Sequence, residues 1–320
     1  MTTASGISVI ICTWNRSATL KQTLDSLALQ QGCQALAIDV VVVDNNSSDD
    51  TRELVESYIA DWPLGTLRYA FEPRQGKQFA LNLGIQVTRN PVLAFTDDDI
   101  LFPVDWLAKV HQVFKDENVD LAGGKTELIW PDSGKPHWYH PGMIAIAAGV
   151  DLGDEKMPAP ADYAPAGSNL IARRSLFERI GGYSEQHFRH MDYEFGMRSL
   201  REGAQVLYDP ALIVFAPVDP SCLTPRYFRR WSFKAGIATE ISATDKALLL
   251  VPRWMYRQLL EDVLFLALRI FRYPDADLFN RELRIWRVLG LISSRWYIKY
   301  RPGQYLKWRE NVSQKKKNLY

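Results

Sequence analysis

Two short, nearly unbroken runs of β-branched and apolar residues, Ile7 to Cys12 (ISVIIC) and Ile38 to Val43 (IDVVVV), constrain this chain more than any other feature. A strand with one face in water alternates apolar and polar side chains, whereas a near-continuous apolar run predicts a strand covered on both faces. Between the runs, Leu20, Leu24, Leu27 and Ala28 recur at helical spacing over Ser17 to Leu29, with Ser17 as the expected N-cap. The pattern repeats: Thr51 to Ile59 reads as helix, Leu67 to Phe71 as strand, Gln78 to Val87 as helix and Val92 to Phe95 as a fourth strand. This alternation specifies an α/β fold, a mostly parallel sheet with helices on both faces. Ligands of such sheets bind beyond the carboxyl ends of the strands. That rule selects Thr13 to Arg16, Asp44 to Ser47, Glu72 to Lys77 and Thr96 to Asp99 as site-lining segments.

The chain has 320 residues, 47% of them hydrophobic, enough to bury a substantial core. From Trp130 to Pro165 it is rich in Pro, Gly and aromatic residues without periodicity, a long connection of the kind used for lids and binding loops. After Pro225 it becomes helical and Arg-rich, which suggests a catalytic-type domain over 1–224 and a basic helical extension over 225–320. Charge divides the same way. Residues 1–224 hold 18 Lys+Arg against 29 Asp+Glu, a net −11, and residues 225–320 hold 20 against 8, a net +12. A basic tail of this size points to an anionic surface partner. Cys12, Cys33 and Cys222 are widely spaced and form no Cys-x-x-Cys pair, which suits a reducing compartment and argues against a zinc site. No apolar run reaches the roughly 18 residues of a spanning helix, and the N-terminal apolar stretch is too short for a signal-peptide core.

The strongest chemical signal is Thr96-Asp97-Asp98-Asp99, directly after the fourth strand. Three adjacent carboxylates repel one another and call for a cation; oxygen ligands suit a hard divalent ion such as Mg²⁺ or Mn²⁺, with positions left for diphosphate oxygens. A solvated acidic turn would read the same in isolation, and position at a strand's carboxyl end favours the site. Asp44-Asn45-Asn46-Ser47 closes the second strand, where its side chains can bond a base or ribose or simply form a turn. Thr13, Asn15 and Arg16 follow the first strand and either meet a nucleotide or cap the next helix. Gly76-Lys77 is no P-loop, since neither the preceding glycine nor the following Ser/Thr is there.

Together ISVIICTWNR, VVVDNNSSDDT, the segment Gly76 to Ile85 and FTDDD resemble glycosyltransferase family 2 over roughly residues 7–235. The resemblance implies the GT-A type of Rossmann-like sheet and a nucleotide-sugar donor linked to UDP or GDP. It implies that Thr13 and Asn45, with Asp44 beside it, face the nucleobase and ribose, and that Arg74 and Lys77 lie near the nucleotide. Asp97 and Asp98 would meet the donor, with Asp98 or Asp99 on the Mn²⁺ or Mg²⁺ ion. Further on, Gly167-Ser168-Asn169-Leu170, Arg173, Arg174 and Gly181-Gly182-Tyr183 resemble the acceptor-side segment, which makes Asp192 the expected general base. The competing reading has Asp192 capping a helix, with Glu194 and Arg198 as an exposed i, i+4 pair. One departure stands out: relatives carry a metal-binding His where this chain has Ala216, so His187 or His190 would have to substitute or the carboxylates act alone.

The expected function is therefore inverting transfer of a sugar from a nucleotide sugar to a lipid-linked or polysaccharide acceptor. A non-catalytic nucleotide-sugar-binding partner in a glycan assembly complex is the alternative, motivated by Ala216. A nucleotidyltransferase would need a Gly-rich loop after the first strand, and Thr13-Trp14-Asn15-Arg16 supplies none. In the tail, Arg alternates with Tyr227, Phe228, Trp231, Trp286, Trp296 and Tyr297, and Leu259 to Phe271 is apolar except for Glu261, Asp262 and Arg269. Such a segment either lies in an anionic membrane interface or caps the catalytic domain. The expected location is cytoplasmic, peripheral at the inner face of the cell membrane. No recognition module indicates nucleic acid.

Overall fold

The computed structural model describes residues 6–161, 163–185, 190–238, 247–248, 251–269 and 275–314. β1 (Gly6–Thr13), α1 (Ser17–Ala28), β2 (Ala37–Asp44), α2 (Thr51–Ile59), β3 (Thr66–Phe71), α3 (Lys77–Val87) and β4 (Val92–Asp97) reproduce the alternation read from the sequence. These four strands are parallel and ordered β3-β2-β1-β4. The chain continues through α4 (Trp106–Val113), β5 (Leu121–Gly123), β6 (Thr126–Ile129), β7 (Met157–Pro158), β8 (Leu170–Arg173), α5 (Arg174–Ile180), α6 (Met191–Arg201), β9 (Val206–Tyr208) and β10 (Val214–Pro217). The sheet extends as β8-β5-β9-β7, with β8 antiparallel to both β4 and β5. β10 pairs with β6 in a separate two-stranded ribbon.

Both faces of the central strands are buried, which explains their unbroken apolar character. Ile7, Val9 and Ile11 of β1 and Val40 and Val42 of β2 face Leu20, Leu24 and Leu27 of α1, Val55 of α2 and Trp106 of α4. Ile10, Cys12, Val41 and Val43 face the opposite side, against Ala80 and Leu81 of α3 and Phe177 and Phe195 of α5 and α6. Each such side chain contributes about 1.5–3 kcal/mol by leaving water. The expected Ser17 cap is displaced by one residue: α1 begins at Ser17, and its N–H donates to the Asp49 carboxylate at 3.1 Å. An acid from the loop after β2 therefore satisfies a helix terminus that local sequence assigned to Ser17.

The chain divides into two compact units, Met1–Ile129 with Ala148–Pro217, and Trp130–Ala147 with Val218–Tyr320. The second contains α7 (Pro225–Ala238), α8 (Arg253–Arg269), α9 (Ala276–Tyr300) and α10 (Pro302–Gln314). α7 and α9 touch backbone to backbone at two glycines. A Cβ on Gly236 would lie 1.9 Å from the Arg287 carbonyl oxygen, and one on Gly290 would lie 2.0 Å from that of Phe233. Part of the aromatic and Arg interleaving in this region is internal packing. Phe228 is fully buried, with Trp138 edge-on to it and to Phe279 at 5.0 and 5.2 Å, and Arg229 pairs with Glu282 at 2.6 Å. Phe271 lies outside the described residues. Among the described residues no helix is long and apolar enough to cross a membrane.

Candidate active site

The carboxyl ends of β1, β2 and β4 lie side by side because Thr13 pairs with Asp44, and Cys12 with both Val43 and Asp97, in the sheet register. This alignment gathers the acidic turn after β4 and the loop after β1. Thr13 Oγ1 donates to Asp98 Oδ2 at 2.7 Å, and Arg16 donates to Asp98 Oδ1 at 2.9 Å and to Asp99 Oδ2 at 2.7 Å. Lys77, the first residue of α3, bonds Asp97. Burial alone would lower the Lys77 ammonium, but the charge of Asp97 and the hydrogen bond to it outweigh burial and hold the group well above the usual lysine range. Burial also pushes the Cys12 thiol up to about 12, so it carries no thiolate chemistry at neutral pH.

Asp98 bears the electrostatic cost of the arrangement. It is 4% exposed, and burial raises its carboxyl to about 6 even though Arg16 and Thr13 act to lower it. Among the described residues three carboxylates face two cations, Arg16 and Lys77, which leaves one negative charge over. Carboxylate oxygens are the donors a hard divalent ion takes, but among the described residues no three His, Cys, Asp or Glu side chains come together to hold one, so diphosphate oxygens would have to complete any such site. Ala216 is buried in β10 and offers no ligand atom. His190 precedes α6 in a left-handed conformation with φ 55°, and His187 lies outside the described residues.

The remaining sequence candidates frame this cluster. Asn15, with φ 53°, accepts from Ser48 N–H at 2.6 Å through its side chain and donates its own N–H to Ser47 Oγ at 2.9 Å, joining the loops after β1 and β2. Asp44 is buried between Ser47 N–H at 2.8 Å and the Tyr69 hydroxyl at 2.7 Å. Asn45 donates to the Arg74 carbonyl at 2.6 Å and accepts from Gly76 N–H at 2.8 Å, fixing the turn that leads into α3. Arg74 forks onto Glu72 through two 3.0 Å bonds and lies 4.4 Å over the Phe79 ring. Hydrogen bonds from Arg74 hold the Glu72 carboxyl below its ordinary value against the effect of burial. Tyr69 and Glu72 support these residues, and the sequence signals neither role: one is a mid-strand aromatic, and the other opens the turn that leads to Lys77.

Asp192 is half-buried in the first turn of α6, where Oδ2 accepts from Gly167 N–H at 2.8 Å and Oδ1 from Tyr193 N–H at 2.9 Å. His190 occupies the cap position, so Asp192 is oriented instead by a backbone amide 25 residues away in sequence. Asp192 lies close enough to add the smallest of the charges acting on Lys77, and among the described residues no hydrogen bond or ion pair is seen between it and Asp97–Asp99. The Glu194–Arg198 pair is real at 2.8 Å, but its side chains are only 14% and 22% exposed. Arg198 also donates to the carbonyls of Ile180 and Gly182, so the pair braces the Gly181–Gly182 turn instead of decorating the surface.

The sequence model of Glycosyl transferase family 2 matches residues 8–181, more than half of the chain. The chain belongs to this glycosyltransferase family. Glycosyltransferase AglE of Haloferax volcanii is 30% identical over 214 residues, 67% of each protein. The mannosyltransferase PcManGT of Pyrobaculum calidifontis, solved with GDP-Man and Mn²⁺, superposes with a TM-score of 0.62 at 18% identity over 91% of this chain and 87% of that one. TarS of S. aureus superposes with a TM-score of 0.52 at 18% identity, and there the match covers 74% of this chain but only 40% of TarS. These likenesses show the GT-A fold.

Proposed function

We propose that this glycosyltransferase moves a sugar, with inversion, from a UDP- or GDP-linked donor to a lipid-linked or polysaccharide acceptor in glycan biosynthesis. The observation that carries the reading is the placement of Asp192. A carboxylate held by Gly167 N–H, near Lys77, which itself pairs with Asp97, can serve an acceptor hydroxyl beside the donor. In a single displacement the acceptor oxygen bonds the anomeric carbon from the face opposite the diphosphate. The bond from that carbon to the diphosphate oxygen breaks, the electron pair leaves with the diphosphate, and the acceptor proton passes to Asp192. Asp44, Asn45 and Thr13 would orient the base and ribose, and Arg74 and Lys77 the nucleotide; the GDP-Man and Mn²⁺ bound by PcManGT support a donor of this class. Asp98 and Asp99 would hold Mn²⁺ or Mg²⁺, which when bound neutralises charge on the leaving diphosphate.

Screening UDP- and GDP-sugars by thermal shift and donor hydrolysis, with Mn²⁺ and with Mg²⁺, tests the reading. A metal-dependent stabilisation by one donor class supports it, and indifference to every donor overturns it. Stabilisation without turnover on any acceptor would favour the second reading, a non-catalytic nucleotide-sugar-binding partner, for which the buried Ala216 is the motive.

A further inference from the structure

α8 is built inside out. Its inner face carries Met255, packed on Val288 and Leu291 of α9, and beside it Asp262, 1% exposed, bonded by Arg281 at 3.1 Å and by Arg284. Its outer face carries Leu260, Val263, Leu264 and Leu268, an i, i+3, i+4, i+8 stripe, with Leu268 83% exposed and Trp254 exposed near the N-terminal end. A helix facing water buries its leucines and exposes its carboxylates. Here Asp262 is inside, neutralised by two guanidinium groups, while Leu260, Leu264 and Leu268 are outside and the exposed Glu261 beside them is paired with Arg257, so the medium that suits the outer face is largely apolar.

We propose that this stripe is a docking face for an anionic lipid bilayer. Three observations select a bilayer over another protein. Exposed Arg253 and Arg257 precede the stripe, Arg257 paired with Glu261 at 2.9 Å, and exposed Arg269 follows it, so basic groups bracket a leucine centre. Residues 225–320 carry a net +12, complementary to anionic headgroups. And α8 has 17 residues, about 26 Å at 1.5 Å per residue, with its polar inner face fixed to α9, which suits lying in the interface and not crossing it. The leucines enter the acyl boundary while the arginines reach phosphate oxygens of the lipid. The docking needs no donor sugar, so it stands or falls apart from the transfer reaction.

Co-sedimentation of the full chain with phosphatidylcholine vesicles, with and without phosphatidylglycerol, across a salt series is the test. Wild type is expected on the anionic vesicles, less as salt rises, with a salt-resistant residue from the apolar contact. Leu264→Gln/Leu268→Gln should lower the partition coefficient about tenfold or more, since each change returns apolar area to water. Leu268→Gln alone, at a site too exposed to affect folding, should lower it in the same direction, and unfolding curves matching wild type verify both variants. No binding by wild type, or unchanged binding by both variants, overturns the proposal. A wild-type dimer that both variants dissolve, without vesicle binding, also overturns it and assigns the face to a second copy.

Discussion

Replacing Asp98 by Asn should stabilise the metal-free protein at neutral pH, although it removes a residue of the candidate site. The folded carboxyl titrates near 6 and its ordinary value is 3.8, with burial as the main cause. A folded value raised by roughly two units corresponds to about 3 kcal/mol at 1.36 kcal/mol per unit. The sign follows from linkage: the protonated form is favoured by folding, so stability is full below about 3.8, declines as pH rises through about 6 and is lost above it. Asn mimics the protonated form, with its carbonyl oxygen facing Arg16 and its amide donating to Thr13. The difference between variant and wild type should be near zero at pH 3.5 and reach up to about 3 kcal/mol in favour of the variant above pH 7. Denaturant unfolding of both proteins in chelator across this range measures it. A variant as stable as wild type or less so at pH 7.5 would show that Arg16 and Thr13 compensate the buried charge fully, and the argument that the cluster calls for a cation would fail.

Asp97→Ala and Asp99→Ala should each reduce turnover, and the metal-binding position should also lose metal-dependent donor affinity, read by titrating donor with and without Mn²⁺; unchanged kinetics in both would reduce the cluster to a turn. Gly290→Ala should destabilise the second unit by about 1–3 kcal/mol, because a Cβ 2.0 Å from the Phe233 carbonyl oxygen forces α7 and α9 apart, and denaturant unfolding checks it.

The sheet was legible where neighbouring elements in sequence are neighbours in space. Ile7 to Cys12 and Ile38 to Val43 announced strands covered on both faces, and the turns after them named the residues that the register brings together. What the sequence concealed depends on distant partners. β8 inserts antiparallel between β4 and β5, which no periodicity in Leu170–Arg173 signals. Asp49 serves the start of α1 from another loop, and Gly167 N–H fixes Asp192 across 25 residues. Trp130 to Pro165 reads in sequence as one long aperiodic connection, yet Trp138 and Met143 are core residues of the second unit, packed with Phe228 and Phe279. Aromatic residues in an aperiodic stretch identify a buried segment only once their partners are known.

The proposed role of Asp192 as acceptor of the hydroxyl proton is tested by Asp192→Asn, through paired measurements of transfer rate and donor affinity. Asn keeps the acceptor oxygen for Gly167 N–H but cannot accept a proton in the reaction. Transfer should fall about a hundredfold to ten-thousandfold while the dissociation constant of the nucleotide sugar stays within about twofold of wild type. Transfer retained in the folded variant, or donor affinity lost with the rate preserved, would contradict it and leave Asp192 as a support for the Gly167 turn.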